Sequence, residues 1–599
     1  MRNGGVRGWR NSPEKIELTE EKKISRRRFA KYVGGAVVAA AAVAAGYGIY
    51  EATKPPPTPP TTTVAPPPPT TTVAPPTTAT TRQLVEVLYP DVDDLGIPDP
   101  AIGFSIQDFG RLMRNTYDPL IEYDTSSPPE MIPALAEKWE VSQDGLTCDF
   151  HLRKGVTFHD GTEVTADAVV YSMDRLLTVN QGVAFLWAGV LDTDSTQATD
   201  KYTVRFNLKK KYAPFPSTLA FLYVVNPKVI EAHIDPTGPY GTKGDYATKW
   251  LSSGGDIGSL SGSGPYMLKE WVIGDHSRME RYEEYWRGWS KPNPLDVIIA
   301  QKVPEEATVR QIVQKGGAFH ISPFRSTDFY KTLGKVPNVY LVKSPKPFSA
   351  HYFHFNTTKP PLDDVHVRRA LSYAFDYDQF LNNIRAGLGD GQLIGPLPRA
   401  FWGHNDSIIP YTLDLDKAKA ELQQSKYSSS KLKQMPIVFY YIEPIEFERL
   451  AGLLLASNGE KIGLNMSVQT IPWLKFGEGV TKPETSPDIV AVTHSAPHAD
   501  PDGLLYPLFH STDAHTWARD PSHWTDPQVD KLLDDARATS GQDERAEMYE
   551  KAQQIINDAA PAIFAMEQAS IGAADTHIQG IVYNWEYTFY AAWRYYWQA

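Results

Sequence analysis

The residues best equipped for chemistry gather late in the chain, in "DIVAVTHSAPHADPDGLLYPLFH" (488–510). Five of the fifteen histidines, His494, His498, His510, His515 and His523, fall within 30 positions there, with Asp500 and Asp502 among them. Imidazoles can bind metal, move protons or hydrogen-bond sugar and peptide groups. His494 and His498 are four apart, the spacing that puts two metal ligands on one helix face. Pro497 stands between them, however, and breaks any regular helix. That leaves histidines that bond a polar solute or lie on the rim of a site, and no metal is expected.

Enzymatic alternatives find little support. Neither H-E-x-x-H nor G-x-S-x-G occurs, and the lone cysteine, Cys148, sits mid-strand and is a poor nucleophile. One cysteine also excludes an internal disulfide and any multi-cysteine metal site. His159-Asp160 resembles a base and its orienter, but it lies in a turn with no nucleophile near and reads as structural. A carboxylate pair of the glycosidase kind leaves no recognisable spacing, so a secreted hydrolase stays open as a competing class. No cofactor is expected.

The elements around these residues are legible locally. In "CDFHLRKGVTFHDGTEVTADAVVYSMDRLL", Cys148, Phe150 and Leu152 alternate with polar residues as in a half-buried strand. Asp160-Gly161 predicts a turn, and Thr165 caps a helix carrying Ala168, Val169, Met173 and Leu176 on one face. Residues 449–464 predict an amphipathic helix, 465–473 the strand after it, and 488–493 a buried strand that leads into the histidine-rich loop.

Composition bounds the whole. The chain has 599 residues, enough for two or three compact units, and a formal charge of −12. Residues 1–31 carry a net +6 and the remainder −18. An acidic body argues against nucleic acid, whose phosphates need a basic stripe. Tyr32 to Tyr50 are free of charge and as a helix would span roughly 28 Å, about a hydrocarbon core. The preceding Ser25-Arg26-Arg27-Arg28-Phe29-Ala30-Lys31 matches a twin-arginine export signal, S-R-R-x-F-x-K, and places the N-terminus in the cytoplasm and the body outside. Small residues such as Ala42-Val43-Ala44 would suit a signal peptidase, so cleavage and retention both remain open.

Residues 53–81, with 11 prolines and 12 threonines and TTTVAPP repeated nine residues apart, form a semi-rigid polyproline spacer of up to ~90 Å. Its threonines are candidate O-glycosylation sites. Three sequons also occur, Asn356-Thr357-Thr358, Asn405-Asp406-Ser407 and Asn465-Met466-Ser467.

Five blocks carry a resemblance: "YDPLIEYD" (117–124), "PALAEKWEVSQDGLTCDFHLRKGVTFHDGTEVTADAVVYSMDRL" (133–176), "GSGPYMLKEWVIGDHSRMERYEEYW" (262–286), "FNTTKPPLDDVHVRRALSYAFD" (355–376) and "DERAEMYEKAQQIINDAAPAIF" (543–564). In this order they resemble the family 5 extracellular solute-binding proteins, the peptide-, nickel- and oligosaccharide-capturing receptors of ABC importers. The resemblance covers residues from about 84 to 599.

It implies an α/β, two-lobed type II periplasmic-binding-protein fold with an extra subdomain in the first lobe, preceded by the signal or membrane helix and the stalk. By analogy the basic N-region is 1–31, the membrane segment 32–52 and the linker 53–81. The first lobe takes 82–120, 236–330 and 561–599, the subdomain 121–235 and the second lobe 331–560, with crossings near Lys343–His351 and Ala559–Ala565.

The resemblance also bears on the ligand. In peptide-binding relatives an acid just before a D-P-D segment pairs with the solute's amino group. Asp500-Pro501-Asp502 matches that segment, but Pro497 stands where the acid belongs and His494 where a tryptophan is often found. In relatives the position of Asp500 is more often a helix start, with a substitute anchor as its other reading. Arg449 falls where an arginine contacts the carboxylate in dipeptide binders, or else lies on a helix surface. Trp402, Trp473 and Trp517 are candidates to stack on sugar rings, or pack the core. An oligopeptide or dipeptide is the first expectation, then an oligosaccharide, then a nickel chelate. The implied partners are a permease and its ATPases on other chains, with the receptor itself a monomer tethered outside the cell or periplasmic if cleaved.

Overall fold

The computed structural model describes residues 81–88, 96–103, 107–126, 129–253, 257–322, 325–344, 347–388, 391–443, 445–511, 519–584 and 591–598. The chain divides into Met1–Thr78 and a body, Ala79–Ala599. The export signal, the apolar segment and the stalk up to residue 80 lie outside the described residues, as do His515 and Trp517. No helix of the described residues is long and apolar enough to cross a membrane.

Two sheets organise the body. The first has seven strands, in the order Val339–Lys343, Ile571–Asp575, Phe319–Ile321, Gln83–Leu88, Val297–Lys302, His276–Arg281 and Tyr266–Val272. We label Gln83–Leu88 β1, Val339–Lys343 β2 and Ile571–Asp575 β6. β1 runs parallel to both its neighbours, as sheet strands buried by long crossover connections do. The second sheet has five strands, Asn465–Ile471, Pro436–Ile442, Ile489–Ser495 (β4), Ser349–Phe355 (β3) and Ala562–Glu567 (β5).

A four-stranded antiparallel sheet of Ala136–Val141, Thr147–Leu152, Thr203–Asn207 and Thr196–Asp200 lies in chain order between β1 and the rest of the first sheet. Its alternation is the one read in the sequence: Cys148, Phe150 and Leu152 point inward. The helix Ala166–Val179 follows, burying Ala168, Val169, Met173 and Leu176; Thr165 has the extended backbone of a cap but makes no side-chain cap bond. Gly161, at φ +81°, turns the chain ahead of it. His159 is structural, since its Nδ1 accepts from Gly262 N (3.2 Å) and its Nε2 meets Gly264 O at 2.8 Å. Those glycines, in the "GSGP" of the third block, permit a close approach: a Cβ on Gly262 would sit 1.9 Å from the Thr116 carbonyl.

One continuous apolar cluster joins Phe150 and Met173 to Leu84 and Ile298 of the first sheet, and onward to Tyr352, Leu504, Tyr549 and Phe564. A second, holding Phe353, Phe439, Leu455 and Ile563, lies under the five-stranded sheet. The helix α1, Glu446–Lys461, packs there and leads into the edge strand Asn465–Ile471.

The strand pairing shifts two expected borders. β2 bonds to β6 along its whole length, so the seven-stranded sheet reaches past residue 330 to Lys343. β5 pairs with β3, which puts residues 562–567 in the five-stranded sheet, not the first. The chain therefore passes from one sheet to the other between Lys343 and Ser349 and again between Glu567 and Ile571. The second crossing follows Glu567, because β5 must finish its ladder before leaving.

Candidate functional site

The two crossings lie side by side and are bonded to each other. Ser344 N donates to Ser570 O at 2.9 Å, and Ser570 N returns a bond to Ser344 Oγ at 2.9 Å. One step on, Gln568 N donates to Ser349 O (2.9 Å), and Thr493 Oγ1 donates to Gln568 Oε1 at 2.6 Å. The β2–β6 and β3–β5 ladders are thus linked through a doubled neck that ties the end of β4 in as well. At the end of β4 the Ser349 and Ser495 hydroxyls meet at 2.6 Å on the exposed side.

β4 feeds the histidine-rich loop. His494 is its penultimate residue and is buried, its Nε2 2.9 Å from His354 Nε2. Burial pushes His494 down to about 3, and lowers His354 and His351 as well, so all three imidazoles stay neutral. His351 Nδ1 pairs with Thr493 Oγ1 at 2.7 Å, and its Nε2 faces Glu448 Oε1 at 3.6 Å. Burial, the dominant influence, raises Glu448 well above the ordinary carboxylate range. Pro497 is half-buried, and the chain turns at 498–501 into α2, Asp502–Phe509.

That turn is sealed by charge. Asp500 Oδ1 accepts Asp502 N (3.0 Å) at the helix start and Arg545 Nη2 at 2.7 Å. Arg545 comes from α4, Gln542–Ala559, where Tyr549 also contacts it at 2.9 Å. Trp402 lies over the Arg545 guanidinium, 5.0 Å from ring centre to carbon, and edge-on to Tyr549. Asp502 binds Arg537 of α3, Pro527–Ala538, with both oxygens, at 2.6 and 3.0 Å. Burial alone would raise the Asp502 carboxyl, but the Arg537 charge and hydrogen bonds hold it below the usual range.

The same turn meets the segment that follows the four-stranded sheet. Tyr212 OH donates to Asp502 Oδ2 at 3.0 Å, Ala213 N to Arg537 O at 2.7 Å, and Ser217 Oγ pairs with His498 Nδ1 at 3.2 Å. Burial lowers His498 below an ordinary histidine, against the pull of Asp500 and Asp502.

The structure brings His498, Asp500, Pro497 and Trp402 into one neighbourhood. It does not bring Arg449 there. Arg449 points outward from α1 and pairs with Glu446 at 2.7 Å, while Glu448, one residue before it, turns inward. Nor does it bring Trp473, which meets Phe476 edge-on (5.7 Å between ring centres) beneath the five-stranded sheet as a packing residue. His494 sits in the sheet instead of the loop. Asp500 takes the helix-start alternative, and its carboxylate is already engaged by Arg545. The residues that hold the loop in place, Tyr212, Ser217, Arg537 and Arg545, carry no local signal in the sequence. Among the described residues no group of three His, Cys, Asp or Glu side chains is placed to hold a metal.

Two sheets joined by a doubled neck, with a loop between them anchored from both sides, define a two-lobed binding protein of the type II periplasmic class. The sequence narrows the class: the profile of the bacterial extracellular solute-binding proteins, family 5, middle region, matches residues 130–516, and the chain belongs to that family. It is 29% identical over 491 residues to the probable D,D-dipeptide-binding periplasmic protein DdpA of Escherichia coli, covering 81% of this chain and 89% of that one. It is 28% identical over 508 residues to heme-binding protein A of Haemophilus influenzae, covering 81% and 87%. In fold it is similar to the periplasmic binding protein DppA of Helicobacter pylori in complex with the peptide STSA (TM-score 0.71, 23% identity, 86% of this chain and 98% of that one). It is likewise similar to the substrate-binding protein CtaP of Listeria monocytogenes (TM-score 0.73, 22% identity, 86% and 99%).

Proposed function

We propose that this chain is the exported receptor of an ABC importer and that its solute is a short peptide. The observation that carries the peptide is the run of relatives named for such ligands: a D,D-dipeptide-binding protein and a dipeptide-binding protein of Escherichia coli, 29% and 28% identical. The receptor acts by capture, not turnover. The seven-stranded sheet with the four-stranded sheet forms one lobe and the five-stranded sheet with α1–α4 the other, closing about the doubled neck. The solute then passes to a permease driven by ATPases on other chains. The apolar segment 32–50 and the Thr/Pro stalk hold the receptor on the outer face of the membrane, or release it if the segment is cleaved.

The buried pair Asp500–Arg545 argues for a solute whose amino group is not held by Asp500. Pro497 and Trp402, both half-buried, keep surface for it, as do the exposed hydroxyls of Ser349 and Ser495. The test is a thermal-shift screen of the body, Ala79–Ala599, against di- to hexapeptides, oligosaccharides and nickel chelates. A ligand at 100 times its Kd stabilises the fold by ~2.7 kcal/mol. A shift with peptides supports the proposal. A shift with saccharides or chelates alone keeps the receptor and replaces its solute, and no shift with any class overturns the ligand assignment.

A further inference from the structure

The three sequons are equivalent in sequence and very different in the folded body. Asn356 is 1% exposed, and its amide nitrogen is committed to Pro483 O at 2.8 Å. Its side-chain oxygen accepts Thr358 Oγ1 at 2.7 Å, so the sequon's own hydroxyl is occupied too. Asn405 is 7% exposed, with Nδ2 on Glu550 O at 2.9 Å and Oδ1 taking both the amide and the hydroxyl of Ser407. Neither amide can be presented to an enzyme while the protein is folded.

Asn465 is exposed. It opens the edge strand Asn465–Ile471, which among the described residues has a neighbour on one side only. Side chains alternate along a strand, so Asn465 and Ser467 share a face, and both are exposed while Met466 between them is buried. The amide to be modified and the hydroxyl required two residues on are therefore displayed together, on a polar face at the rim of the sheet. The open edge beside them is the kind of surface that other chains pair with, and that natural proteins cover or charge.

We propose that Asn465 is an N-glycosylation site of the exported body, and that Asn356 and Asn405 are not. The reaction needs a lipid-linked sugar phosphate as donor. The Asn465 Nδ2–sugar C1 bond forms as the C1–oxygen bond to the lipid phosphate breaks; the amide loses one proton, and the lipid phosphate departs with the bonding pair. The selection among the three sites follows if the body is folded when it meets the transferase, as export through a twin-arginine signal entails. A glycan there would stand over the open edge without touching the residues around Asp500.

The test exposes the full-length folded protein to an oligosaccharyltransferase that accepts N-x-S/T, with its lipid-linked donor and an appended unstructured sequon as internal control. Intact mass and peptide mapping should show one glycan on the body, at Asn465, and its loss in Asn465→Gln and in Ser467→Ala with melting temperature unchanged. A body left bare while the control sequon is modified overturns the proposal, as does a glycan on Asn356 or Asn405 of the folded chain.

Discussion

Tyr212 and Asp502 are 290 residues apart in the chain, and the tyrosine hydroxyl donates to the aspartate at 3.0 Å. Asp502 is shared: Arg537 grips both of its oxygens from the other side. Tyr212 follows the four-stranded sheet and Asp502 opens α2, so this carboxylate ties those two segments together. Replacing Asp502 by Ala leaves Arg537 without its partner in a largely buried setting, at a cost of about 3–5 kcal/mol. Tyr212→Phe removes one hydrogen bond to a charged acceptor and should cost about 1.5–3 kcal/mol. Denaturant unfolding of the two variants checks the ratio; equal losses would show that Arg537 finds another partner.

Acid should draw stability from the buried imidazoles. The buried carboxyls of Glu448 and Asp520, raised by burial, offset part of that loss as they take up protons more readily in the folded chain. His494, His498, His351 and His354 have folded values depressed by burial, so each binds its proton more readily in the unfolded chain. Their contribution is whole above the unfolded value of about 6.5 and is lost as pH falls towards the folded one. A histidine neutral down to about 3, as His494 is, forfeits about 2 kcal/mol between pH 8 and pH 5. Asp502, also depressed, adds its loss only below about 4. The imidazoles should therefore lower the unfolding free energy between pH 7.5 and 5, and His498→Gln should lessen that part of the slope. A pH slope left unchanged by His498→Gln would contradict a neutral, buried imidazole there.

Arg449→Ala tests the placement of α1. The side chain is exposed and its ion pair with Glu446 is of the surface kind, screened by solvent. Affinity for whichever solute the screen finds should stay within about twofold, read by calorimetry. A tenfold loss, about 1.4 kcal/mol, would mean that Arg449 swings inward on binding.

Gln568 is the side chain that ties one crossing to β4 through Thr493 Oγ1. Gln568→Ala should leave the two sheets intact and alter the balance between open and closed forms, since a receptor's apparent affinity scales with its closed population. Small-angle scattering with and without solute would read this directly. An unchanged affinity and an unchanged radius in both states would deny the neck any part in closure.

Local patterning was enough for the strand Thr147–Leu152, the helix Ala166–Val179 and the helix–strand pair at 446–471, because alternation and capping are properties of neighbours in sequence. The five blocks carried the two-lobed class. What they could not carry is set by partners far along the chain. His498 meets Ser217 from 281 residues away and Asp500 meets Arg545 from 45, and neither pairing leaves a spacing to read. Arg449 shows how finely a helix face must be known. Adjacent residues are turned by about 100°, so a one-residue difference puts Glu448 inside and Arg449 out.

The strand β6 lies inside the seven-stranded sheet, between β2 and Phe319–Ile321, although it is among the last segments to be synthesised. While residues 571–575 are still in the ribosome, the strands on either side of their slot have nothing to pair with there, and two edges stand open. The first half of the body cannot close early and wait for the second. Its folding waits for the emergence of residues 571–575 and is slowed by the long loop that must close. Any factor that guards the nascent protein must therefore hold it until residues 571–575 have emerged.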